Sequence, residues 1–148
     1  MGAEKSIIIG SDHAAYDLKE NIKAYLLQTG HTVEDVGASG NQSVHYPEYG
    51  GKVAGRISEG EFTKGILMCG TGLGMSMVAN RYPGVRAALC NGLFAAAMSR
   101  RHNDANILVM GGRVIGVDLA REIVRVFIET PFEGGRHQLR IDLFDRIP

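Results

Sequence analysis

Five short apolar runs, each followed by residues at helical spacing, constrain this chain more than any other feature. Residues 6–10, 32–36, 66–68, 85–90 and 106–110 read as strands. Between them, residues 17–29 carry Leu18, Ile22, Tyr25 and Leu26 on one helical face, and Gly30 stops that helix. Residues 37–46 are polar and turn-rich, and Pro47 suits the first turn of a helix bearing Tyr49, Val53 and Ile57. Residues 75–80, 93–101 and 117–129 complete the alternation, the last with Leu119, Ile123, Val126 and Phe127 in its stripe. Pro131 ends it, and a helical tail with Ile141 and Phe144 follows at residues 137–146. Apolar strands without polar alternation need cover on both faces. Strands separated by helices pair in parallel. The expected fold class is α/β: a three-layer α/β/α sandwich on a five-stranded parallel sheet, Rossmann-like, forming one domain over residues 1–148.

Composition narrows the partners. Lysine plus arginine equals aspartate plus glutamate at 16 each, with no strongly basic run and no tryptophan, which argues against nucleic acid. No apolar stretch approaches the roughly 18 residues of a membrane span, and no charged apolar leader stands at the start, so a soluble chain with no membrane partner is expected. Two cysteines fit a reducing cytoplasm better than a disulfide framework.

In an open parallel sheet, ligands bind beyond the carboxyl ends of the strands. Polar residues gather at those ends: Asp12 and His13, the segment Cys69-Gly-Thr-Gly-Leu-Gly74, Asn91, and Arg113. The glycines at 70, 72 and 74 bring backbone N–H groups close to whatever lies there, as a phosphate or a developing oxyanion requires. The pattern is Gly-x-Gly-x-Gly, without the extra spacing of a dinucleotide fingerprint or the Lys-Ser/Thr of a nucleotide loop, so no nucleotide cofactor is expected. Cys69 reads either as a small buried residue or as a thiolate steadied by the loop, and its position alone leaves both open. Asp12-His13 reads as a helix cap beside a surface imidazole. His102, in Arg100-Arg-His-Asn-Asp104, is either a charged helix end or an acid and base near neutral pH. Arg136 and Arg140, one helical turn apart, read as a solvated basic patch or as a pair that converges on one anion. Cys90 reads as core. His31, His45 and His137 show no ligand spacing, so no metal is expected.

Taken together, Asp12-His13, Tyr46-Pro47, Cys69 to Gly74, Ala79-Asn80, Arg100 to Asp104, Gly112-Arg113 and Gly135-Arg-His-Gln-Leu-Arg140 resemble a sugar-phosphate isomerase family. It is the family of the B-type ribose-5-phosphate isomerases and the galactose-6-phosphate isomerase subunits. The resemblance spans nearly the whole chain and implies a cofactor-free aldose–ketose isomerase of the pentose phosphate pathway. Cys69 matches the base that removes a carbon-bound proton. His102, assisted by Asp12 and Tyr46, matches the group that opens the furanose ring. Asn103, Thr71 and the loop glycines Gly70, Gly72 and Gly74 match the groups that steady an enediolate. His13, Arg113, Arg136 and Arg140 match the phosphate contacts. One branch places a glutamate just past the loop and lacks the cysteine. Here Met75 and Ser76 follow, so the chain resembles the cysteine branch. The resemblance also implies a homodimer or homotetramer with shared sites. Ribose 5-phosphate is the expected substrate. A six-carbon sugar phosphate (allose or galactose 6-phosphate) and a non-catalytic sugar-phosphate-binding domain are the rivals.

Overall fold

The computed structural model describes residues 5–148. β1 (Ser6–Ser11) leads through a single 3-10 turn (His13–Ala15) into α1 (Tyr16–Gln28). Then come β2 (Thr32–Asp35), α2 (Tyr46–Ser58), β3 (Lys64–Cys69), α3 (Leu73–Ala79) and β4 (Ala87–Leu89). α4 (Leu93–Arg101), β5 (Ile107–Gly111), α5 (Val117–Glu129) and α6 (Arg136–Asp145) close the chain. The five strands are parallel throughout, in the order β2-β1-β3-β5-β4. This is the α/β architecture expected from the alternation.

Successive strand residues face opposite layers. Ile7, Ile9, Ile66, Met68, Leu108 and Met110 meet α1, α4 and α5 through Leu18, Ile22, Ala96, Ile123 and Phe127. Ile8, Leu67, Cys69, Ile107 and Val109 meet α2 and α3 through Val53, Ala54, Ile57, Met75 and Ala79. Both sheet faces are therefore dry, which is why the strands are apolar without a break.

Three expectations are corrected. β4 is three residues long rather than the six of 85–90. It is an edge strand, and the Arg86 N–H bonds the Asn106 side chain at 2.8 Å instead of extending the ladder. α3 starts at Leu73, because Gly72 turns the chain at φ 83° and its carbonyl accepts from Ser76 N at 3.0 Å. Leu119 is exposed, while Ala120, Ile123, Val124 and Phe127 form the buried face of α5. The small side chain of Ala120 concealed the true stripe.

A charged side chain lies inside. Lys19, on α1, donates to both carboxylate oxygens of Asp35 at 2.8 and 2.7 Å and to Glu20 at 3.0 Å. Burial pushes the Asp35 carboxyl up, but bonds from Lys19, Lys23 and the Gly37 N–H outweigh it and hold it below the usual range. Asp35→Asn strips a buried ammonium of its main partner and is expected to cost about 3 kcal/mol at neutral pH. A depressed folded-state pKa stabilises above the unfolded value and is lost as pH falls through the folded one. Denaturant titrations should therefore show the gap to wild type narrowing below about pH 4.

Candidate functional site

β1 and β3 are neighbours, and their connections leave in opposite directions, β1 toward β2 and β3 toward β4. Such a reversal opens a crevice at the carboxyl ends. Ser11 is in register with Met68, so Asp12 and Cys69 flank that crevice.

Cys69 ends β3 with 5% of its surface exposed. Its Sγ accepts the Gly72 N–H at 3.2 Å. The loop is held from behind: Gly112 N donates to Cys69 O at 2.8 Å and Arg113 N to Gly70 O at 2.9 Å. Gly72 is required here, since its φ is +83° and a Cβ would sit 2.5 Å from Leu89 Cδ1. A bulkier residue would move the N–H that addresses the sulfur. Thr71 is exposed, and its Oγ1 accepts from Leu73 N at 3.2 Å, capping the loop rather than pointing into a core.

The neighbours gather around this loop. The buried Asp12 carboxylate accepts from Ala14 N at 3.0 Å and Ala15 N at 3.3 Å, so the cap reading of Asp12 holds for one oxygen. His13 Nδ1 accepts the Val44 N–H at 3.1 Å, which ties the loop before α2 to the crevice and leaves the ring proton on Nε2. Tyr46 lies against Gly74, whose Cβ would come within 2.6 Å of the ring. The Arg113 side chain lies over Gly70, with Nη1 3.5 Å from that residue's Cβ position. Cys90 is buried in the core, and burial pushes its thiol up, the Ser99 hydroxyl opposing.

The remaining candidates lie elsewhere. His102 caps the carboxyl end of α4, and Asn103 follows it before β5. Cys69 is in register with Gly111 at the end of β5, and Gly65 with Ile107 at its start. Four residues of strand, about 13 Å, thus separate the level of Cys69 from the level at which β5 begins. Arg136 and Arg140, on α6, share the far edge with His102, because α5 runs back down the sheet before α6 starts. There the His102 and His137 rings stack at 4.2 Å. A cavity of about 890 Å³ on that side is lined by the β4 edge, Asn103 and the tail from Phe144. The structure therefore gathers Asp12, His13, Tyr46, Cys69 to Gly74 and Arg113 at one edge. It gathers His102, Asn103, Arg136 and Arg140 at the other. Sequence reading missed Glu133, which bonds Arg101 O through its N–H at 3.1 Å and reaches both histidines. Its spacing of four from His137 was the available signal.

Fold and crevice define an open parallel α/β protein with polar residues gathered at the carboxyl ends of β1 and β3. The chain belongs to the ribose/galactose isomerase family, whose model matches residues 7–144. It is 42% identical to ribose-5-phosphate isomerase B of Escherichia coli over 97% of this chain and 96% of that one. It is 44% identical to a D-erythrulose-4-phosphate isomerase of Pectobacterium atrosepticum, covering 88% of this chain and 86% of that one. A solved ribose 5-phosphate isomerase of Thermotoga maritima superposes with a TM-score of 0.94 at 54% identity, covering 96% of this chain and 98% of that one. The chain is thus an isomerase by family. Among the described residues, no helix is long and apolar enough to cross a membrane.

Proposed function

We propose that the chain interconverts ribose 5-phosphate and ribulose 5-phosphate through a cis-enediolate, with Cys69 as the base. The observation that carries this is a sulfur at the end of β3, receiving a backbone N–H at 3.2 Å, in a loop against which Tyr46 and Arg113 pack and beside the strand end that bears Asp12 and His13. A carbon acid needs a base held against its C–H bond and donors for the oxygen that gains charge. Cys69 removes the proton and returns it to the adjacent carbon. The loop Gly70 to Gly74, Thr71 and Asn103 steady the enediolate oxygen. His102, with Asp12 and Tyr46, opens the furanose. His13, Arg113, Arg136 and Arg140 hold the phosphate, whose binding energy orients the sugar. One carbon is oxidised as its neighbour is reduced, so no external hydride acceptor is consumed.

These residues lie at two edges of one chain, so the reading requires a second copy that brings its far edge against the first copy's crevice. An apolar strip on α6 supports this. Leu139 and Leu143, one turn apart, are 68% and 65% exposed. Contiguous exposed apolar side chains mark surfaces that a partner covers.

The Pectobacterium relative's name shows that sugar length varies within this similarity. A different chain length, including allose or galactose 6-phosphate, is therefore the second reading. Assays of kcat/KM on four-, five- and six-carbon phosphates decide between them. The five-carbon sugar is expected to lead by at least about tenfold, since a misplaced reacting carbon loses its alignment with the base. Solvent deuterium should enter that substrate during turnover. Binding without exchange would leave only a sugar-phosphate-binding domain.

A further inference from the structure

At the far edge the chain reverses through Gly134 and Gly135, with φ values of +70° and +57°, and enters α6. The Glu133 N–H is pinned to the end of α4 through Arg101 O. Together these place His137, in the first turn of α6, flat against His102, with 10° between the rings. The His137 side chain is buried, at 6% exposure, yet its Nε2 has no hydrogen-bond partner. Glu133 Oε1 lies 3.5 Å from that nitrogen and 3.9 Å from His102 Nε2. A buried ring nitrogen without a made hydrogen bond is costly, and the Glu133 carboxylate oxygen beside it makes none. One ligand atom from each of the three residues lies within 4.8 Å of the others.

We propose that His102, Glu133 and His137 form a binding site for a divalent transition ion of the zinc class. Two imidazoles and one carboxylate are the donor set of an open, three-ligand zinc site, with a fourth position left for water. Ligand atoms about 2.0–2.1 Å from a four-coordinate ion stand roughly 3.3 Å apart, so small side-chain rotations that splay the two rings close the set. Magnesium and calcium prefer all-oxygen shells and are excluded. The Arg136 and Arg140 charges beside the site weaken it relative to a structural zinc centre and leave it reversible. Burial holds His137 below its usual pKa, with His102 and Arg136 acting the same way and Glu133 opposing.

The consequence rests on the reading of His102 as the ring-opening group: a metal on its Nε2 withdraws it, and zinc inhibits the isomerase reversibly. Calorimetric titration of zinc into the full chain tests the site separately from that reading. Wild type and Cys69→Ser should each take one zinc per chain, and magnesium should give no binding. Glu133→Gln, at an exposed position where folding is not at risk, should bind zinc at least about tenfold more weakly. In wild type the ring-proton resonances of His102 and His137 should shift together as zinc is added. No stoichiometric binding, or binding that Glu133→Gln leaves unchanged, or binding lost in Cys69→Ser, overturns the site. If zinc binds as described but turnover of ribose 5-phosphate is unaffected, the site stands and the role given to His102 falls.

Discussion

Cys69→Ala is expected to lower kcat/KM on ribose 5-phosphate by about three orders of magnitude, within the range that a positioned general base supplies. The fold should survive. The side chain removed is one sulfur at the margin of the layer that packs on α2 and α3, and the backbone bonds that hold the loop come from Gly112 and Arg113, not from the thiol. Loss of the Gly72 N–H bond to sulfur and a small void should cost about 1–2 kcal/mol, leaving a cooperative unfolding transition. Cys69→Ser keeps the shape and a hydrogen-bond acceptor but offers a far weaker base, so it should fall nearly as far as alanine. Solvent deuterium incorporation into substrate should vanish in both. Alkylation of wild type should inactivate, with substrate slowing the loss, while Cys90 stays unmodified because it is 1% exposed within the core. Retention of turnover within a few-fold in Cys69→Ala would remove the proposed base and leave the family membership untouched.

The fold was legible because its instructions are local. Ile7 to Ile9, Ile66 to Met68 and Ile107 to Met110 are buried on both faces, and only a parallel sheet covered by helices accommodates that. Gly30 and Pro47 mark helix limits through backbone chemistry visible in any context. Edges were less legible, since β4 has one neighbour and its ends depend on a side chain, Asn106, from another turn. At the crevice, the glycine loop and Cys69 are contiguous in sequence, so a single strand-to-loop reading recovered them together. Asp12 and Arg113 also lie at strand ends and follow from topology. His102, Asn103, Arg136 and Arg140 do not. They sit where α4 ends and where α6 begins, the edge opposite the one an open parallel sheet normally uses, and only the resemblance connected them to Cys69. Glu133 escaped notice because it gains its meaning from a stacked histidine pair that forms when two glycines turn the chain back on α4.

That separation yields the second large effect. Arg136→Ala/Arg140→Ala changes two exposed side chains, so the protein should fold normally, yet each lost guanidinium–phosphate bond is expected to cost about 1.5–3 kcal/mol. The double variant should therefore fall by about 10²–10⁴ in kcat/KM, as Cys69→Ala does for a different reason. A hybrid of the two chains behaves differently. In a two-fold assembly with shared sites, one site inherits both lesions and the other inherits neither, one subunit supplying an intact Cys69 crevice and the other intact arginines. Co-expression under two affinity tags, followed by sequential capture, isolates that hybrid. Its activity should return to about half of wild type per dimer. If each site were built within one chain, every site in the hybrid would carry one lesion and no activity would reappear. The rescue reads out the crossing of the subunit boundary itself, which neither variant alone reports, and it needs no knowledge of the interface. A hybrid that forms and stays inactive would place each site within one chain and overturn the sharing of sites between subunits, whereas an Arg136→Ala/Arg140→Ala variant that kept full activity would force the arginines out of the isomerase site.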